Sequence, residues 1–375
     1  MIKNPKNKRF WTEGNGKDFL DWAGISENEL QGGYSTDWFY RYDEEMDALV
    51  NGWMKDGRFS TIMKSLHGQA SESELPEDYT AFKAKLSLVP EWLDKDLLAE
   101  GCRLSERSGL VGLLVLRDFA LLGGYYFANL TKPLVATGAL EKGAVHRLYN
   151  TLGFWVDVSR SSPEASQIRL DACLRTRLIH SASRGMILGK FPDWEDDRYG
   201  IPINHADMIA THIAFTVYFL YGLERLNFKF SAREEAGIFH LWKYVTYLLG
   251  VPLELIPTHR REAVSFFYFW TQYQGEPDED SLKLAEALLN ENTAVNLLKL
   301  EVVKRNMGYI HKSISNFLID PGVKNALGIP PVQFRQVIPN AIKLSNDFIP
   351  PGDQQRQQGD KQQRSVLSDY RTAIR

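Results

Sequence analysis

The segment Arg175-Thr176-Arg177-Leu178-Ile179-His180-Ser181-Ala182-Ser183-Arg184 holds the side chains best suited by type and spacing to do chemistry. On a helix, Arg177, His180 and Arg184 fall at i, i+3 and i+7 and share one face. Leu170, Leu174 and Ile187 lie on roughly the same side, so the face is apolar and expected to be buried. Charge there is costly unless something compensates it. Two arrangements would do so. In the first, the imidazole ligates the iron of haem b while the arginines neutralise the two propionates. In the second, His180 is a hydrogen-bonded core histidine and the arginines pair with carboxylates on neighbouring helices. Spacing alone favours the second, because patterns this short often arise by chance.

The surrounding chain reads as almost entirely helical. Residues 1–36 are expected to be irregular, given Gly14, Gly16, Gly24, Gly32 and Gly33. From Asp37, taken as a helix cap, a helical pattern runs to about residue 54 and continues almost to the end. Helices are expected at about 97–107, 108–130 (loosened at Gly123-Gly124), 142–158, 163–188, 206–226 and 231–250. Others follow at about 259–274, 279–290, 294–318 and 331–346. Asn204 caps the helix after it, and Ser231 with Glu234 forms a capping box. The stretches 108–130 and 206–226 are apolar enough to suggest membrane spans. Arg117, Asp118 and His212 inside them point instead to core helices. Neither β-alternation nor an internal repeat is evident. The simplest division is one all-α domain over 37–349, a single large bundle, followed by a polar, flexible tail at 350–375 rich in Gln and Arg.

Composition excludes some function classes. The chain of 375 residues carries 44 Lys plus Arg against 47 Asp plus Glu, which leaves no electrostatic footprint for nucleic acid or an anionic membrane. Cys102 and Cys173 are far apart and lack metal-ligand spacing. Together with the absence of an apolar run after the basic N-terminus, they point to a cytoplasmic protein. Zinc-protease, Walker and nucleophile-elbow patterns are missing. His259-Arg260-Arg261-Glu262 reads as a solvated helix start, and His212 as a packed core histidine.

Residues 97–250 resemble the MpaB and latex-clearing protein (rubber oxygenase) family of haem b-dependent oxygenases. The pieces that carry the likeness occur in order: Gly123-Gly124-Tyr125-Tyr126, Thr137-Gly138, His146-Arg147-Leu148-Tyr149-Asn150-Thr151, the Arg175–Ala182 segment, Gly200-Ile201-Pro202-Ile203-Asn204, Trp242 and Leu249-Gly250-Val251-Pro252. The resemblance implies a globin-reminiscent bundle holding haem b, with His180 as the iron ligand flanked by Arg177 and Arg184. It places Arg147 and Thr151 as polar residues on the facing helix, near the haem. Asn150 stands where some relatives carry a lysine able to close the distal site. The implied reaction is oxygenation by O2 of an apolar, unsaturated substrate, with isoprenoids among the candidates. One departure counts against the rubber-oxygenase mechanism: residues 121–140 contain no Asp or Glu, although those enzymes take a proposed glutamate base from this part of the chain. A peroxidase-like haem protein, a haem carrier or sensor, and a haem-free helical scaffold are the alternatives. Oligomeric state is not legible.

Overall fold

A computed structural model describes residues 9–12, 14–30, 33–291 and 301–374. Among them there is no strand, and the protein is an all-α bundle. The longer helices, numbered here in chain order, are α1 (Asn15–Ala23), α2 (Glu44–Lys55), α3 (Lys95–Arg107) and α4 (Gly109–Gly124). They continue with α5 (Ala128–Ala136), α6 (Ala139–Val158), α7 (Ala165–Lys190), α8 (His205–Arg225) and α9 (Ala232–Leu248). The last are α10 (Arg260–Thr271), α11 (Glu279–Asn290), α12 (Glu301–Leu318), α13 (Val337–Phe348) and α14 (Asp353–Ala373). The helix expected over 294–318 is described only from Glu301, and the residues before it back to 292 lie outside the described chain.

Local chemistry explains several boundaries. Asn204 caps α8 by accepting the Asp207 amide at 2.9 Å, and Ser231 with Glu234 completes the capping box of α9. α2 starts at Glu44 rather than near residue 38, because Asp43 is its cap; Asp37 sits in the single turn Thr36–Phe39 capped by Ser35. At Gly143 (φ 76°) the backbone of α6 leaves helical geometry, so its regular part begins just beyond. α3 and α9 cross at Gly101 and Gly237, where a Cβ on either residue would run into the other's backbone.

Two expectations are corrected. Residues 9–12 and 15–23 are helical, not irregular, and Phe10, Trp11 and Phe19 are buried. Aromatic burial drives this: Phe10 packs edge-on to Phe127 and Phe267, and the Trp11 indole donates to Thr271. Residues 353–373 form α14, which is docked on α3, α4 and α6. Gln and Arg are good helix formers, and Gly359, Gln363 and Tyr370 recur on one buried face beneath a polar exterior.

Most of the core is one large apolar cluster running from Phe10 to Tyr370. A satellite cluster of Met46, Val50, Trp53, Ile62, Tyr79 and Phe82 packs against Leu174 and Leu178, so α7 is held between the main core and α2. α4 and α8 each contain a π-helical stretch, Leu116–Leu121 and Ala214–Tyr218, and these pack on each other with Phe119 and Tyr218 rings 4.8 Å apart. α8 is the one described helix long and apolar enough to cross a membrane, and 78% of its apolar window is buried inside the bundle, as in a core helix.

Candidate functional site

α7 runs for 26 residues and carries His180 near its middle. The segment is helical because good helix formers such as Leu, Ala and Arg fill it; Leu170, Leu174, Leu178 and Ile187 are buried along it. His180 is half-buried, and among the described residues its ring has no hydrogen-bond partner. Burial, aided by the Arg184 charge one turn on and opposed by Asp43, lowers its pKa to about 4. The imidazole is therefore neutral at physiological pH, with a lone pair in hand.

The arginines on either side are committed. Arg177 makes a two-pronged pair with Asp43, donating from Nη2 to Oδ1 at 2.8 Å and from Nε to Oδ2, and stacks over Phe82. Arg184 pairs through Nη1 with Asp47. It also donates from Nε to the Pro202 carbonyl and from Nη2 to the Ile203 carbonyl, both at 2.9 Å. Asp43 caps α2 and Asp47 lies one turn further on, while the two arginines they meet are two turns apart on α7. The arginine stripe thus ties α7 to α2 and to the turn leading into α8.

That turn ends at His205, whose amide donates to the Arg41 carbonyl at 2.8 Å. The ring is buried, neither nitrogen has a partner among the described residues, and burial lowers its pKa to about 4 against the field of Asp43. Sequence reasoning missed His205, Asp43 and Asp47. Nothing in the spacing pointed to the two acids, which stand at i and i+4 while the arginines they meet stand at i and i+7.

Arg147, Asn150 and Thr151 lie on α6, which packs against α7. Arg147 is half-buried over the ring of Tyr125, with its Cζ 4.9 Å from the centroid, and its buried Nη1 has no partner among the described residues. Thr151 is half-buried one turn further on, and Asn150 is exposed. Asp118, at the edge of the acid-free stretch, is fully buried and engaged by Arg117 and by the His311 ring at 2.7 Å. His212 bonds Thr246 at 3.0 Å inside the core, and His259 caps α10.

Fold and site together define an all-α protein built around a long helix that carries an imidazole with no hydrogen-bond partner among the described residues. The chain belongs to the family described as ER-bound oxygenase mpaB/B'/Rubber oxygenase, catalytic domain, whose model matches residues 114–342. A solved structure of latex clearing protein in the closed state shares the fold, with a TM-score of 0.68 at 18% identity, over 92% of this chain and 94% of that one. No curated protein matches the chain.

Proposed function

We propose that this chain is a haem b-dependent oxygenase that uses O2 on an apolar, unsaturated substrate, with isoprenoids among the candidates. The observation that carries the reading is the ring of His180, set on a core helix, without a hydrogen-bond partner among the described residues, and with a pKa that burial lowers to about 4. Bound haem would supply an iron centre for O2 chemistry, which would convert a carbon–carbon double bond and O2 into two carbonyl groups.

The chain's own residues would position and exclude. His180 offers its lone pair without first losing a proton. Arg177 and Arg184, held by Asp43 and Asp47, fix the rotation and height of α7 and so the direction of that lone pair. Any contact they make with the propionates is shared with those two carboxylates. Arg147 and Thr151 present polar groups from α6, whereas Asn150, being exposed, is given no part in the reaction. α4 and α8 supply apolar walls that keep water from the reacting carbons. A haem protein without oxygenase activity is the second reading. The burial of Asp118 in ion pairs favours it, because a carboxylate so engaged is not available as a base.

The test is the absorption spectrum of purified protein with a pyridine haemochrome assay, for wild type and His180→Ala. A Soret band in wild type that is lost in the variant supports the reading. A colourless wild type that also refuses added haemin removes it. Oxygen uptake with unsaturated terpenoids then separates oxygenase from carrier.

A further inference from the structure

α13 is apolar on two sides, and the bundle uses one of them. Ile338, Pro339 and Ile342 turn inward, and the Asn346 side-chain amide donates to the Leu226 carbonyl at 2.8 Å, which fastens that side to the end of α8. On the opposite side Val337, Ala341, Leu344 and Phe348 fall at i, i+4, i+7 and i+11, within about 60° of one another around the helix. All four are exposed, Leu344 by 59% and Phe348 by 78%. Phe334, in the turn that leads into the helix, is 79% exposed at a φ of 54°, a conformation that a bulky residue rarely takes. A helix apolar on both sides belongs in a core, and a continuous apolar stripe on a surface marks a place where something docks.

The spacing of the stripe says what covers it. Steps of four, three and four residues are those of a coiled-coil seam, and they read the same from either end. Two copies laid antiparallel about a two-fold axis would set Val337 against Phe348 of the second copy and Ala341 against its Leu344. Each layer then joins a smaller side chain to a larger one. Asn340 and Asp347 flank the seam on one side, seven residues apart and both exposed. Antiparallel pairing brings the Asn340 amide to the Asp347 carboxylate of the second copy, and symmetry repeats the contact. Asp347 accepts from the Asn227 amide at 3.3 and 3.5 Å, which leaves it acceptor capacity. Further out, Phe334 falls beside the exposed Pro351 of the second copy. The same flanks argue against a bilayer. Helices that lie in a membrane surface carry Lys or Arg beside the apolar face, whereas these positions hold Asn340, Ser345 and Asp347.

We propose that the outer face of α13 is where two copies of this chain associate, helix against antiparallel helix. Three turns of helix cover less than the roughly 1,200–2,000 Å² of a standard interface, so the dimer is expected to dissociate in the micromolar range.

The test is sedimentation equilibrium of the full-length protein from about 1 to about 100 μM. Wild type should pass from monomer to dimer across that range. Leu344→Glu places a carboxylate in the seam and should raise the dissociation constant about 100-fold or more. Asn340→Asp, which sets like charges face to face, should loosen the dimer about three-fold, and Asn340→Lys should tighten it by about as much. These side chains are exposed, so the variants should keep the wild-type helical circular dichroism. Leu88→Glu, at an exposed apolar residue elsewhere, should change nothing. A wild type that stays monomeric overturns the proposal, as it would if another segment of the chain covered the stripe. Self-association that survives Leu344→Glu also overturns it, and so do Asn340 variants that shift the dimer in the same direction. Monomeric protein that pellets with phosphatidylcholine and phosphatidylserine vesicles, and fails to as Leu344→Glu, would assign the face to a bilayer instead.

Discussion

Asp43 caps α2 and at the same time clasps Arg177 of α7, so one carboxylate starts a helix and anchors another 134 positions further along the chain. Its Oδ1 accepts the Met46 amide at 3.3 Å and Arg177 Nη2 at 2.8 Å. Gly250 permits the approach: a side chain there would collide with both partners, and its φ of 91° suits glycine. The carboxylate and guanidinium are about one-tenth exposed, so removing one strands the other.

Asp43→Ala is accordingly expected to destabilise the protein by about 3 kcal/mol, combining a lost cap with an unpaired guanidinium. Replacing Arg177 by Met as well should recover part of that loss, since no charge is then left buried. Urea unfolding of the two single variants and the double variant measures it. Strictly additive losses would mean that the pair is not coupled. If His180 holds haem, Asp43→Ala should also weaken haem retention by loosening α7.

Removing the chain beyond residue 351 tests the docked C-terminal helix. Without α14, Arg107 loses the Gln355 acceptor at 2.7 Å, Glu106 loses Arg356, and the Ser105 carbonyl loses the Gln363 amide at 2.8 Å. The apolar surface under Tyr370 and Leu367 is uncovered as well. The truncated protein should be less stable by about 3 kcal/mol or more and prone to aggregate. Thermal unfolding and light scattering read both effects. A truncation with unchanged melting temperature would show that α14 contributes nothing to the bundle.

What could be read in the sequence was short-range. The caps at Asn204 and Ser231, the helical periods and the shared face of Arg177, His180 and Arg184 involve residues within about two turns of each other, where spacing fixes geometry. Which carboxylates meet those arginines depends on how α2 packs on α7, and a single chain gives no sign of it. The Gln- and Arg-rich stretch was misleading because polarity was read as exposure, while the buried Gly359, Gln363 and Tyr370 are too few and too dissimilar to look apolar. The π-helical stretches of α4 and α8 left no mark either. They arise where two helices press together, and that is a property of packing.

Asp207 offers the clearest pH signature. It lies in the first turn of α8, buried, accepting from the Trp270 indole and the Asn204 amide, both at 2.9 Å. Burial outweighs those two hydrogen bonds and raises its pKa from 3.8 to about 7. Between those values the folded protein keeps a proton that the unfolded chain has released. The contribution to stability is thus whole below about pH 4 and is lost as the pH rises through 7. His205 and His212 act in the opposite sense. Their pKa values are lowered from 6.5 to about 4 and about 3 by burial, so their contribution is present above pH 6.5 and is lost as the pH falls toward those values. The difference between wild type and Asp207→Asn isolates the acid, because the histidines cancel. The asparagine has one accepting oxygen for the two donors that reach the two carboxylate oxygens, a loss that does not vary with pH. Relative to wild type, Asp207→Asn should therefore gain stability as the pH climbs from about 4 to about 7, by roughly 4 kcal/mol in all, and level off above. Urea midpoints across that range measure the change. A difference between the two proteins that stays constant from pH 4 to 8 would mean that Asp207 ionises as easily in the folded protein as in the unfolded chain.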